Sequence, residues 1–163
     1  MKRWSTAVAL AALLTTLPSS AKAAELPTHA LVDIISSINV VEDTPLDFGG
    51  LILSDGSVTV SPSGLVTADV NNLVAAPTQT AGSFTISSMV GAQIEISFTT
   101  PSSTNGLSLS DFAWSIRGNT SSPVEVTQVD EVMTLGATLT VNTASALVGN
   151  NQQIPYTVTV AFP

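Results

Sequence analysis

Apolar residues alternate with polar ones along most of the chain, with a period of two rather than the 3.6 residues of a helix. The alternation is clear in residues 58–61, 84–86, 94–98, 139–141 and 156–162. Most of the intervening residues are serine and threonine, which suit the solvent-facing side of a half-buried strand. The pattern therefore predicts an all-β protein.

Turn-forming residues separate these strands. Ser61-Pro62-Ser63-Gly64 predicts a hairpin, and residues 100–106 and 118–123 are rich in Ser, Asn, Gly and Pro. About eight to ten short strands with one apolar face each are best buried as an antiparallel β-sandwich, which we expect to be immunoglobulin-like. A closed barrel is the alternative. Within residues 108–116, the helical spacing of Leu109, Phe112 and Ile116 suggests a short helical turn.

The first 23 residues have the features of a secretory signal peptide. Lys2 and Arg3 precede an apolar stretch, and Ala21-Lys22-Ala23 supplies a small-residue cleavage site. The apolar stretch is shorter than the roughly 20 residues that a membrane span needs. We predict an exported protein with a single domain at residues 24–163, located at the cell surface, in the periplasm or in the medium.

The predicted mature chain is strongly acidic and has no cysteine. Arg117 is its only cation against twelve carboxylates, which gives a formal charge of −11. Such a surface repels nucleic acid and anionic lipid headgroups. Because no disulfide can form, the domain must be held together by core packing and strand pairing.

Five segments of the chain follow one another in a characteristic order: residues 45–50, the run Gly56 to Gly64, residues 82–86, residues 135–141 and residues 156–160. In this order they resemble the bacterial domain-of-unknown-function family 4402. The most specific of them is the hairpin Thr-Val-Ser-Pro-Ser-Gly at residues 59–64. The resemblance covers nearly the whole mature chain and implies a short exported all-β sandwich, without implying an activity.

The C-terminal strand is similar to that of fimbrial subunits, which are assembled by a periplasmic chaperone and an outer-membrane usher. Its alternation predicts one face for the candidate residues Tyr156, Val158, Val160 and Phe162. In fimbrial subunits the sandwich lacks a strand, and the N-terminal extension of the next subunit fills the gap by β-strand addition. The resemblance implies an exported structural or adhesive protein, most concretely a pilus subunit whose partners are other copies of itself or related pilins, a periplasmic chaperone and an usher.

A donor strand needs apolar residues at every second position. The N-terminal stretch after Pro27 has this pattern, broken only at Ser36. The candidate donor residues are Ala30, Val32, Ile34, Ile38 and Val40. The alternative is that both terminal segments are ordinary strands of a complete sandwich.

Candidate catalytic groups are sparse. His29 is the only histidine and lies near the expected mature N-terminus, a poorly anchored position for the base of a triad. Adjacent carboxylates, Glu42 with Asp43 and Asp130 with Glu131, point to opposite faces of a strand, so we place them on turns and the surface. We predict no enzyme, no catalytic residue and no cofactor.

A monomeric binding module is the alternative function. Asp43, Asp47 and Asp55 are oxygen ligands without a recognisable calcium loop, so we expect Ca²⁺ affinity of about 10⁻⁴ to 10⁻³ M or none, and assign no metal site. Trp114 with Phe112 and Arg117 would form a sugar-stacking patch for a glycan, although aromatic residues in this context are more typical of a core.

Overall fold

The computed structural model describes residues 37–68, 78–100, 103–149 and 152–163, and these residues form strands and turns with no helix. They belong to one unit of the chain, Ile34–Pro163. The nine strands found in them are β1 (Asn39–Thr44), β2 (Gly56–Val60), β3 (Val66–Ala68), β4 (Gly82–Ser87), β5 (Gln93–Thr99), β6 (Leu107–Ile116), β7 (Val124–Glu125), β8 (Asp130–Val141) and β9 (Thr157–Ala161). All described pairings between strands are antiparallel, and the strands form two sheets, which confirms the predicted fold class. The immunoglobulin-like assignment stays a prediction.

The large sheet is organised around β8, the longest strand. β6 pairs along one edge of β8. Two shorter strands lie end to end on the other edge, where β4 pairs with residues 130–135 and β2 with residues 137–141. β1 continues the sheet beyond β4, and β3 continues it beyond β2.

The small sheet has the order β7-β5-β9. Its apolar side chains form the first core cluster with those of β4, of β6 and of the first half of β8, around Ile86, Ile96 and Met133. A second cluster lies under β2 and the second half of β8, around Val58, Val60 and Leu139. The two clusters follow from the division of β8 between β4 and β2.

The predicted hairpin at residues 58–66 is confirmed. Val58 pairs with Ala68 and Val60 with Val66 across the turn. Gly64 adopts a φ of 80°, which a glycine allows without strain, and its amide donates to the carbonyl of Ser61 at 2.9 Å.

The helical turn suggested for residues 108–116 is wrong, because these residues belong to β6. The pairing of β6 with β8 shifts register between Ser110 and Ala113, and Asp111 has a φ of 48°. This bulge adds one residue to β6 relative to β8, so that Leu109 and Phe112 both turn inward although they are three residues apart. The spacing that resembled a helical period is therefore explained by the bulge.

Candidate functional site

The gap between β1 and β9 is the candidate functional site. Among the described strands, β1 lies at an edge of the large sheet and β9 lies at an edge of the small sheet. A cleft of about 820 Å³ lies between them, and we call it the edge cleft. Its apolar lining comes from Val40, Leu46, Phe84, Ile154, Pro155 and Val158.

The inner face of β1 is open at this cleft. Val40 lies directly opposite Ile86 in β4, and opposite residues in paired strands point to the same face of the sheet. Ile86 is fully buried, whereas Val40 is 36% exposed. An inward-facing valine is therefore partly exposed, and no strand among the described residues lies beside it on the side towards β9.

The four predicted residues of the C-terminal strand lie together on the other wall. Tyr156, Val158, Val160 and Phe162 are half-buried and pack against the first core cluster. β9 pairs with β5 through one edge, with Val160 opposite Ile96 and Val158 opposite Phe98. The other edge of β9 has no described partner strand, and Thr157 and Val158 line the cleft.

The predicted donor residues divide into two sets. Ala30, Val32 and Ile34 lie outside the described residues, as does the predicted signal peptide. Ile38 is half-buried against the first core cluster, and Val40 is part of β1 within its own chain. Residues 39–44 are therefore already paired in this subunit.

Tyr156 and Glu42 meet across the edge cleft. The Tyr156 hydroxyl lies 3.5 Å from Oε1 of Glu42, at the limit of hydrogen-bond distance. Burial, together with the negative charge of Glu42, raises the pKa of Tyr156 to about 12. The hydroxyl stays protonated at neutral pH, and both side chains line the cleft.

A second cavity of about 510 Å³ adjoins the edge cleft, and we call it the loop cavity. It lies between the irregular segments 46–53, 146–149 and 152–156 and is floored by Leu109, Leu139 and Val141. Asp55 anchors one end of these segments by accepting hydrogen bonds from the Thr143 amide at 2.7 Å and hydroxyl at 2.8 Å. These two bonds lower the pKa of Asp55.

A buried carboxylate holds the opposite end of the sandwich. Glu131 is fully buried, and its Oε2 accepts a hydrogen bond from Nε of Arg117 at 2.9 Å. Its Oε1 accepts from the Thr127 amide at 2.7 Å, the Thr127 hydroxyl at 2.9 Å and the Gln128 amide at 3.2 Å. The surface position predicted for Glu131 is therefore wrong, although Asp130 is exposed as expected.

These bonds predict loss of stability in acid. Burial acts to raise the pKa of Glu131, but the hydrogen bonds from Thr127 and Arg117 outweigh it and lower the pKa below 4.5. A lowered folded-state pKa stabilises the protein above the unfolded pKa, and this contribution is lost as the pH falls through the folded value. We expect the urea concentration at the midpoint of unfolding to decrease as the pH falls below about 4.5. This decrease should be smaller in Glu131→Gln than in the unchanged protein. Asp55→Asn is the control, because Asp55 is the other described carboxyl group with a lowered pKa. If the pH dependence of the urea midpoint is the same in Glu131→Gln as in the unchanged protein, Glu131 is not the group responsible.

The three candidate metal ligands each accept hydrogen bonds from a different part of the fold. Asp43 accepts from the Thr85 hydroxyl at 2.8 Å, Asp47 accepts from the Gly49 amide at 2.8 Å, and Asp55 is held by Thr143. In the described ranges no three acidic or histidine side chains are grouped to hold a metal ion.

Trp114 is buried in the first core cluster. Phe112 stacks on Phe98 at a centroid distance of 5.1 Å and contacts the Tyr156 ring. The three residues therefore do not form a sugar-stacking patch, because Trp114 lies in the core and Arg117 is paired with Glu131.

Sequence reasoning missed the Glu131 site and the loop cavity. The signal for the first was available, because the single cation of the predicted mature chain, Arg117, precedes a strand that contains an inward-facing glutamate. The loop cavity depends on how irregular segments cross the sheet, which alternation of residues does not encode.

An all-β domain of two antiparallel sheets with an open cleft between its edge strands is thus the class that fold and site define. The chain belongs to the family described as Domain of unknown function (DUF4402), whose model matches residues 38–162. Comparison with curated proteins and with solved structures found no match. The described residues contain no helix that is long and apolar enough to cross a membrane.

Proposed function

We propose that this protein is an exported, non-enzymatic subunit of a bacterial surface fibre, in which neighbouring copies join by β-strand addition. An added strand lies in the edge cleft of one copy and comes from the N-terminal segment of another. A periplasmic chaperone and an outer-membrane usher, which would shield the cleft before assembly, are the further partners in this proposal.

The exposed inner face of β1 is the observation that carries the proposal. Val40 faces inward but is 36% exposed, and β9 ends the other sheet across the cleft. A strand placed between them would cover Val40 and Val158 and would satisfy backbone groups on both free edges. Strand addition thus buries apolar surface and pairs hydrogen-bonding groups at the same place.

Residues 24–36 of a second copy are the proposed occupant. Residues 39–44 are taken by β1, so the donor ends before Asn39. In an extended strand, Ala30, Val32 and Ile34 share one face, while Asp33 lies on the other. The apolar face would enter the cleft and the carboxylate would stay in water.

We expect Val32→Asp and Ile34→Asp to abolish assembly of the mature chain without changing the unfolding of a single subunit. A carboxylate in the cleft of the neighbour would lose its hydration without gaining a partner, at a cost of several kcal/mol. The measurements are the mass distribution by light scattering and the urea midpoint of the monomer.

Val160→Ala is the matched comparison, because Val160 packs in its own subunit. It should lower the free energy of unfolding by roughly 1 to 2 kcal/mol. If Val32→Asp or Ile34→Asp also lowers the stability of the monomer, the N-terminal segment completes its own sandwich. The self-contained binding module would then replace the fibre subunit.

A further inference from the structure

The edge cleft and the loop cavity adjoin each other. Both are lined by Leu46, Gln152, Ile154 and Tyr156. The Tyr156 hydroxyl in this shared wall lies 3.5 Å from Oε1 of Glu42, which lines the edge cleft. A chain lying in the edge cleft would pass Tyr156 to reach the loop cavity over the second half of the large sheet.

In the part of the chain that the structure describes, no strand covers that half of the large sheet. Among the described residues, the second core cluster takes none of its members from β5, β7 or β9. Its inner face, including Leu109 and Leu139, is covered instead by residues such as Leu46, Leu51 and Ile154 from irregular segments. The small sheet thus covers the part of β8 that pairs with β4 and leaves the part that pairs with β2 beneath the loop cavity.

The rim of the loop cavity is unusually apolar for an exposed surface. Ile52 and Leu53 are 50% and 47% exposed on one side, and Leu147 and Val148 are 62% and 85% exposed on the other. The described lining carries no cation, and Asp47 is its only charged side chain. An occupant of matching chemistry is a stretch of chain that turns apolar side chains towards the cavity.

The length of the N-terminal segment fits the combined site. Residues 24–36 reach about 43 Å when extended at about 3.3 Å per residue. The 12 residues of β8, the central strand of the large sheet whose second half floors the loop cavity, extend about 40 Å at the same rise. A strand confined to the cleft beside β9, which has 5 residues, would leave much of this segment without a partner.

We propose that the added strand does not stop at Tyr156 but continues into the loop cavity, where an end of the donor segment completes the cover of the second core cluster. The occupant is residues 24–36 of a second copy, and this inference rests on the proposed function. Apolar side chains at the ends of the segment, Leu26 or Ile34, are the groups that would fill the cavity.

Disulfide trapping tests this, because the chain has no cysteine of its own. Mature copies with Val32→Cys are mixed with copies carrying Val158→Cys, which reports on the edge cleft. Copies with Leu26→Cys or Ile34→Cys are mixed with copies carrying Leu51→Cys, which reports on the loop cavity. Leu65→Cys, exposed in the turn between β2 and β3, is the control for random collision.

We expect linked pairs with Val158→Cys and, for one of the two donor ends, with Leu51→Cys. Because a disulfide needs Cα atoms within about 7 Å, each yield should exceed that of Leu65→Cys about tenfold. The donor end that reacts with Leu51→Cys also reports the direction of the strand.

The outcomes separate the two proposals. Linkage to Val158→Cys without linkage to Leu51→Cys from either end would overturn the continuation and leave strand addition standing. No linkage to Val158→Cys would overturn strand addition itself. Yields equal to those with Leu65→Cys would overturn both.

A pair of charge substitutions provides a second readout in the same mature chain. Leu53 on the rim and Leu65 in the hairpin turn are both exposed, so an aspartate at either position is accommodated in the monomer. Leu53→Asp should raise the concentration needed for assembly about tenfold, because the carboxylate would lie against the inserted apolar chain. Leu65→Asp should leave it unchanged, and equal effects of the two would contradict the continuation.

Discussion

Glu131→Ala is expected to lower the free energy of unfolding by roughly 3 kcal/mol, one of the two largest effects predicted for this protein. The substitution removes the acceptor of four hydrogen bonds from a position with 1% side-chain exposure. The amides of Thr127 and Gln128 would then lose their acceptor at a partly buried position, and each group left unsatisfied is costly. Urea denaturation at pH 7 measures the change.

Arg117 explains why the cost should stay near the lower end of the range for a broken buried pair. Its side chain is 43% exposed, so it can be hydrated when Glu131 is removed, and its Nη2 still donates to the Glu125 carbonyl oxygen at 2.8 Å. The uncompensated charge is therefore not buried.

Glu125→Ala is the matched control for Glu131→Ala. The Glu125 side chain is exposed, and only its backbone carbonyl contacts Arg117. We expect a change within about 0.5 kcal/mol, as for other surface substitutions. Similar losses in the two variants would show that the buried carboxylate does not stabilise the fold in the way described.

The fold class was predictable because alternation directly reports which residues face the core. Val58, Val60, Phe84 and Ile86 are all buried, and the polar residues between them are not. The prediction failed at the Asp111 bulge, where the alternation is interrupted. An inserted residue there shifts which positions face the core, although the strand itself continues.

The candidate site was less predictable for a different reason. The apolar face of residues 156–162 could be listed from the sequence, but which edge of β9 is open depends on strand order. The pairing of β1 with β4 and of β9 with β5 is non-local, and alternation does not encode partners. Likewise, Glu131 followed the inward phase of β8, but only the fold places Arg117 within 2.9 Å of it.

Gly136→Ala is expected to cost about 3 kcal/mol, because the new methyl group would meet backbone rather than side chain. Gly136 separates the part of β8 that pairs with β4 from the part that pairs with β2. A Cβ atom there would lie against the Val60 carbonyl oxygen and 2.6 Å from the carbonyl carbon of Ser61. β2 ends at this point, so the start of the hairpin turn would have to move away from β8.

Gly149→Ala is the matched control, since its added methyl group would meet only the side-chain amide of Gln152, at 2.6 Å. A flexible side chain can rotate away, and we expect a loss within about 0.5 kcal/mol. Urea denaturation of both variants gives the comparison, and equal losses would contradict the steric explanation. A larger loss at Gly136 would show that close contact of β2 with β8 stabilises the second core cluster. That cluster forms the floor of the loop cavity. Gly136, which permits the close contact of β2 with β8, therefore also fixes the surface on which the added strand would lie.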